Sequence, residues 1–366
     1  MQLEAYKNIS PESGYPTIVH PNYNQKIRNW KPPKPVRTEF KPSPDRALHA
    51  DPQKKSLLNV AKQVDLTDSI GTVLENVQLS QLTLQQLDEL ALLVSERGVV
   101  FFRDQDLTTK QQVKLFEHYG VLDHPPGKDE QRHVVINGCI SDHRQQSNYT
   151  PWSQACFHAD TSFELNPPSY SLLRMEKHPP VGGDTAWISQ YGLYDALSTP
   201  YQRLLDSIHA IHTSRLQYDT ILDLYSMGPD HPPIDTHHPA VRTHPVTNLR
   251  ALNVNEGFVV GFAELKKAES DTRPFQHPSS PSLSHSLLQF LLHHMHSADD
   301  HYVRFKWAVG SVAMWDNRCT VHRAIPGAYE LSSRLPIRTS VLGEKPFFDP
   351  QSESRMERET KLNADG

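Results

Sequence analysis

The run Gly310-Ser311-Val312-Ala313-Met314-Trp315-Asp316-Asn317-Arg318-Cys319-Thr320-Val321-His322 decides the fold class. Gly310-Ser311 reads as a turn. Val312 to Trp315 reads as a buried strand, because consecutive apolar residues leave no polar face. Asp316-Asn317-Arg318 breaks the strand with residues that favour turns, and Thr320-Val321-His322 resumes it. Just downstream, Leu335 to Leu342 has strand character, and Arg334 and Arg338 lie four residues apart. Even spacing on a strand predicts one shared face, where a guanidinium can grip a carboxylate bidentately.

Working upstream, Ser169–Glu176, Thr185–Ile188, His209–Thr213 and Ala251–Val254 read as strands. Val303, Phe305 and Trp307 alternate with Tyr302, Arg304 and Lys306, the pattern of a half-buried strand. Val99-Val100-Phe101-Phe102 reads as a buried one. Thr83-x-x-Gln86 is a capping-box start for a helix that Gly98 ends. Thr109-x-x-Gln112 starts a second helix that stops at Gly120, and further helices fall near Thr199–Ile208 and Ser284–Ser297. Strands dominate the C-terminal two thirds, which predicts a sandwich-like barrel with helical flanks.

His158-Ala159-Asp160 supplies the matching chemistry. The segment reads as a short strand, so His158 and Asp160 point to one face and Phe157 to the other. With His322 they make two imidazoles and one carboxylate, the facial triad of a non-heme Fe(II) site, which keeps coordination positions open. A structural zinc site would close its shell with a fourth protein ligand. The His-x-Asp pattern alone is weak in a chain with 21 His, and a second copy occurs at His49-Ala50-Asp51. That copy sits in a Pro- and Lys-rich stretch without strand signals and reads as an exposed polar tripeptide.

Composition narrows the classes. The chain has 366 residues and a net charge of −5, which gives nucleic-acid binding no electrostatic support. Its three cysteines, Cys139, Cys156 and Cys319, show no metal-site spacing, and a reducing compartment is expected. Neither a membrane span nor a signal-peptide core is evident, so the expected location is cytoplasmic. A homo-oligomer is compatible with the sequence. Residues 1–62 read as a Pro-rich extended arm, wrapped on the domain or loose, residues 63–350 as the folded domain, and 351–366 as a polar tail. The stretch from Leu216 to His238 reads as a long loop of the kind that forms lids, with His231, His237 and His238 in solvent.

In order and spacing the sequence resembles the TauD/TfdA group of Fe(II)- and 2-oxoglutarate-dependent dioxygenases, closest to fungal sulfonate or taurine dioxygenase-like members. The likeness runs from about Val64 to Pro350. It rests on His158-x-Asp160, Pro167-Pro168, Gly182-Gly183-Asp184-Thr185, Asn255-Glu256-Gly257-Phe258, Trp315-Asp316-Asn317-Arg318, His322 and Gly343-Glu344-Lys345-Pro346-Phe347. The resemblance implies a double-stranded β-helix, a jelly-roll relative. It implies Fe(II), 2-oxoglutarate and O2 as cofactor and co-substrates, and oxidation, usually hydroxylation, of a C–H bond with release of succinate and CO2. By the same resemblance Thr185 and Arg334 hold the distal carboxylate of 2-oxoglutarate. Arg338 meets an anionic group of a small-molecule substrate, Phe258 packs on that substrate, and Gln154, Thr161 and His124 complete its wall. Two departures point away from taurine: the first histidine of the family's His-x-His-Pro segment is absent before His124-Pro125-Pro126, and Gln154 stands where an asparagine is expected.

Other outcomes remain open at this level. Desaturation or cyclisation needs only a different fate for the substrate radical. A metal-dependent hydrolase would need an acid–base residue beside the metal, and no HExxH arrangement is present. A silent binding protein would have lost a metal ligand or the 2-oxoglutarate arginine. Trp315-Asp316-Asn317-Arg318 reads as scaffold, and Cys156 and Cys319 as small buried residues.

Overall fold

The computed structural model describes residues 39–123, 156–215, 234–265, 283–325 and 333–365, together with short strands at 17–18 and 134–135. It is mainly β with several helices. A seven-stranded sheet runs in the order 62–65, 72–75, 99–102, 312–316, 168–177, 335–342, 134–135. Its pairs are antiparallel except that between 72–75 and 99–102. A three-stranded sheet, 302–305, 185–189, 320–324, lies against it. Val99, Phe101, Leu173, Met175, Ala313 and Trp315 of the first sheet share one core with Trp187, Val303 and Phe305 of the second. Phe101 stacks on Phe305 at 4.2 Å and meets Trp187 edge-on at 5.3 Å. The break expected at 316–318 is therefore where the chain leaves one sheet and enters the other.

The first helix, Leu84–Arg97, has the expected cap: Thr83 Oγ1 accepts from Gln86 N, and Gln86 Oε1 accepts from Thr83 N. Gly98 ends it at φ +73, a conformation most side chains avoid. The second helix, Thr109–Glu117, is capped one residue earlier than the spacing suggests, by Thr108 with Gln111, and it ends before Gly120. Either Thr could cap with its Gln; Gln112 is instead buried and donates to Ile337 O and Thr339 Oγ1, tying the helix to strand 335–342.

Parts of the two terminal segments are packed. Arg46–His49 is a 3-10 turn and Lys55–Leu58 a short helix, with Ala47 and Leu57 in the same core as the first helix. Asp45 accepts from Arg318 Nη1 at 2.7 Å and from Tyr170 at 3.0 Å, so this part of the arm is wrapped on the domain. At the other end, where the sequence reads as a polar tail, Arg355–Asp365 is a helix; Arg355 donates to Ser69 O and Glu96 O and covers the Tyr191 ring. No helix among the described residues is long and apolar enough to cross a membrane.

Candidate metal centre

His158 and His322 face each other across a single antiparallel bridge. Each backbone N–H donates to the other's carbonyl, at 2.9 and 2.8 Å. Directly opposed residues carry their side chains on the same side, and the two rings lie 4.4 Å apart. The expected strand through His158 and Asp160 is not formed. Only His158 bridges, and the chain then turns, with Thr161 at φ +36 and its carbonyl accepting from Glu164 N. The turn sends the Ser162 hydroxyl to His212 and Asn255 and packs Phe163 edge-on against Phe258. Asp160 nevertheless reaches the histidines: its Oδ1 lies 3.8 Å from His322 Nε2, and all three ligand atoms fall within 4.8 Å of one another. Phe157 is turned away as expected, under the guanidinium of Arg323, the residue after His322.

The protonation states suit a divalent metal. A carbonyl can only accept, so His158 carries its hydrogen on Nδ1, bonded to Cys156 O at 2.8 Å, and leaves Nε2 with a lone pair. Burial lowers the pKa of both histidines, that of His322 to about 3, so both are neutral near pH 7. Burial opposes the charge on Asp160, but Arg338, His322, His158 and the Ser171 hydroxyl outweigh it and hold the carboxyl at about 2. Two neutral imidazoles and an ionised carboxylate, all 8% exposed or less, form a donor set that fits Fe(II).

The remaining expected site residues separate into groups. Arg334 is 4% exposed and its Nε donates to Gly183 O at 3.1 Å, two residues before Thr185. Thr185 Oγ1 accepts from Trp307 Nε1 at 2.9 Å, which leaves its own hydrogen to donate. Arg338 Nη1 donates to Asp160 Oδ1. The even-spacing argument for the two arginines fails locally, because Arg334 precedes the strand and a register shift falls between Leu335 and Pro336; each is placed by its own contacts. Phe258 is buried with its ring edge-on to His158 at 6.0 Å. Gln154 and His124 lie outside the described residues, as do 216–233 of the expected lid.

His49-Ala50-Asp51 joins no metal-ligand cluster among the described residues; His49 is exposed and Asp51 caps Gln53 N. A second buried group, His244, Asp316 and Cys319, has ligand-like types but no ligand capacity. Arg318 takes both Asp316 oxygens at 2.8 and 2.7 Å, His244 Nε2 donates to the same carboxylate, and His244 Nδ1 accepts from Val246 N and Thr247 N. Burial pushes the Cys319 thiol far up, so it stays protonated.

Sequence reasoning missed a buried pair. His212 and His238, both 0% exposed, lie with ring centroids 5.2 Å apart behind the Ser162 turn. His238 belongs to strand 234–239 and is not a solvated loop residue. Sequence reasoning also missed the hydroxyl and amide groups around Asp160. Ser171 Oγ donates to its Oδ2 at 2.9 Å, and Asn317 Oδ1 accepts its backbone N–H at 3.1 Å.

The profile of the family described as taurine catabolism dioxygenase TauD, TfdA matches residues 62–338, the span that carries His158, Asp160, Thr185, His322, Arg334 and Arg338. The chain belongs to the TauD/TfdA family. It is 33% identical to the alpha-ketoglutarate-dependent dioxygenase oryG of Aspergillus oryzae, over 83% of this chain and 94% of that one. It is 31% identical to the alpha-ketoglutarate-dependent sulfonate dioxygenase of Saccharomyces cerevisiae, over 95% and 82%. A solved taurine dioxygenase of Burkholderia xenovorans superposes with a TM-score of 0.62 at 30% identity, covering 80% of this chain and 94% of the other. As a TauD/TfdA member the protein is an oxidoreductase that uses Fe(II), 2-oxoglutarate and O2, and the described residues include a buried His–Asp–His group that could hold a metal ion.

Proposed function

We propose that His158, Asp160 and His322 hold one Fe(II), that Thr185 and Arg334 hold the distal carboxylate of 2-oxoglutarate, and that Arg338 meets the anionic group of a small primary substrate. The observation that carries this reading is the convergence of two neutral imidazoles and one ionised carboxylate with no fourth ligand among the described residues. Bound there, Fe(II) with 2-oxoglutarate and O2 supplies the oxidation of a C–H bond, releasing succinate and CO2. The chain's own groups bind, orient and exclude water. Arg334 offers its charge from a buried position, where an unpaired carboxylate would be costly. Phe258 packs on His158 and Trp315 on His322, and Phe163 backs Phe258, so apolar surface lies beside the ligands. Nothing in this chemistry needs a general base. The two facing sheets support a double-stranded β-helix core, and the proposed setting is the cytoplasm.

Arg338 supports an anionic substrate because its Nε is buried and meets no acceptor among the described residues. A buried donor left unmet costs about 1–3 kcal/mol, and an incoming sulfonate, sulfate ester or carboxylate would satisfy it. A sulfonate fits the activity named for the yeast relative. The altered His124-Pro125-Pro126 and Gln154 positions favour a shape other than taurine. The test is a steady-state comparison of wild type and Arg338→Ala across taurine, longer alkyl sulfonates, sulfate esters and amino acids. The KM for the best anion should rise at least tenfold while that for 2-oxoglutarate moves far less. Preference for neutral molecules in the wild type would remove Arg338 from the role.

A further inference from the structure

Strand 168–177 is flanked by 312–316 and 335–342, and the register sets Ser171 opposite Trp315 on one side and Ser340 on the other. Asn317 follows the end of strand 312–316, and its N–H donates to Ser169 O at 2.8 Å. Ser171, Ser340 and Asn317 are 0%, 5% and 4% exposed.

The hydrogen bonds have a forced direction. Asn317 Oδ1 accepts from Asp160 N at 3.1 Å and Trp315 Nε1 at 3.0 Å; its Nδ2 donates to Ser169 O at 3.2 Å and Ser171 Oγ at 2.9 Å. Both acceptor sites and both hydrogens are used. A flipped amide would set N–H against N–H, so the orientation is fixed. The single Ser171 hydrogen goes to Asp160 Oδ2, so the 2.8 Å bond between Ser171 and Ser340 runs from Ser340. The donors from Asn317 Nδ2 and Ser340 to Ser171 therefore leave its hydrogen directed at the carboxylate. Asp160 Oδ2 is held by Ser171, while Oδ1 faces His322 and also accepts from Arg338 Nη1, which leaves it a second lone pair for a metal. Trp315 also packs on the His322 ring at 4.9 Å, so one strand end steadies two of the three ligands.

We infer that Asn317 and Ser171 clasp Asp160 so that it offers the metal one oxygen only, making both of them positioning residues for the metal centre. This rests on the reading of His158, Asp160 and His322 as the metal ligands. A carboxylate freed from the clasp could turn and offer both oxygens, occupying a position that 2-oxoglutarate or O2 needs. It would also lose the preset angle that makes binding strong. Outer partners of this kind are worth about 10–100-fold in metal affinity.

The test is a titration of the metal-stripped full chain with Mn(II), free ion followed by electron paramagnetic resonance, beside a melting curve for each variant. Ser171→Ala removes one hydroxyl and leaves the Asn317 turn intact. It should bind Mn(II) about 10–100-fold more weakly, with a melting temperature close to wild type. Asn317→Ala should be at least as weak. Ser340→Ala, which does not touch Asp160, should stay within a few-fold of wild type. Mn(II) affinity unchanged in a folded Ser171→Ala protein would overturn the clasp. Failure of the wild type to bind Mn(II), or equal affinity in Asp160→Ala, would instead overturn the ligand assignment beneath it, and the clasp with it.

Discussion

Acidification should destabilise the protein through the buried histidine pair, and His212 lets the size be worked out. Burial is the main cause of its lowered pKa, with Arg242 and His237 adding unfavourable charge against a favourable backbone bond near Asn253; the result is about 3, against 6.5 for a free imidazole. His238 shifts the same way, through burial and its neighbour His212. The folded state thus keeps His212 neutral while the unfolded chain takes up a proton below pH 6.5. Stability is complete above 6.5 and falls as the pH drops from there toward 3. One pKa unit is worth about 1.36 kcal/mol, so between pH 7 and pH 5 His212 alone should cost about 2 kcal/mol. Other buried groups titrate as well, so the assay must be differential. His212→Asn keeps a polar atom near Ser162 and removes the titration. Urea unfolding at pH 7 and pH 5 should show the gap between wild type and variant narrowing by about 2 kcal/mol at the lower pH. An unchanged gap would mean that His212 carries no proton-linked stability.

Further outcomes follow from individual contacts. Arg334→Ala should raise the 2-oxoglutarate requirement by orders of magnitude, since breaking a buried charge pair costs roughly 3–5 kcal/mol; an unchanged KM would assign that carboxylate to another cation. Gly183→Ala places a Cβ 3.2 Å from Arg334 Cδ at a backbone φ of +72, so it should weaken 2-oxoglutarate binding more than Mn(II) binding, as paired titrations would show. Asp45→Ala leaves Arg318 paired with Asp316 but strips one partner from it and from Tyr170, and chemical denaturation should record a loss of about 1–3 kcal/mol.

The candidate metal group is legible because His158-x-Asp160 and His322 keep a set order beside readable strands, not because their types are scarce in a chain with 21 His. The two His-x-Asp copies differ in the sequence by their surroundings and in space by convergence of His158, not His49, with His322, which depends on the bridge between 158 and 322. The local geometry was misread at Asp160, where a turn with Thr161 in the left-handed region does what a strand was expected to do. Strand 234–239 was invisible because its inward residues are Ile234, Thr236 and His238, two of them polar, so no apolar alternation marks it. The Asn317–Ser171–Ser340 row depends on cross-strand register, which a single sequence does not display. The C-terminal helix has no apolar stripe; it docks through Arg355 and backbone carbonyls instead.

Oxidation driven by 2-oxoglutarate should depend on the His158–Asp160–His322 group. The most direct measurement is succinate formed from 2-oxoglutarate by the purified chain with Fe(II) under air, wild type beside Asp160→Ala and His49→Ala. Wild type and His49→Ala should form succinate with matching O2 uptake, and Asp160→Ala should form none. Succinate at the wild-type rate from Asp160→Ala, or none from a wild type loaded with Fe(II), would show that this group does not drive the oxidation.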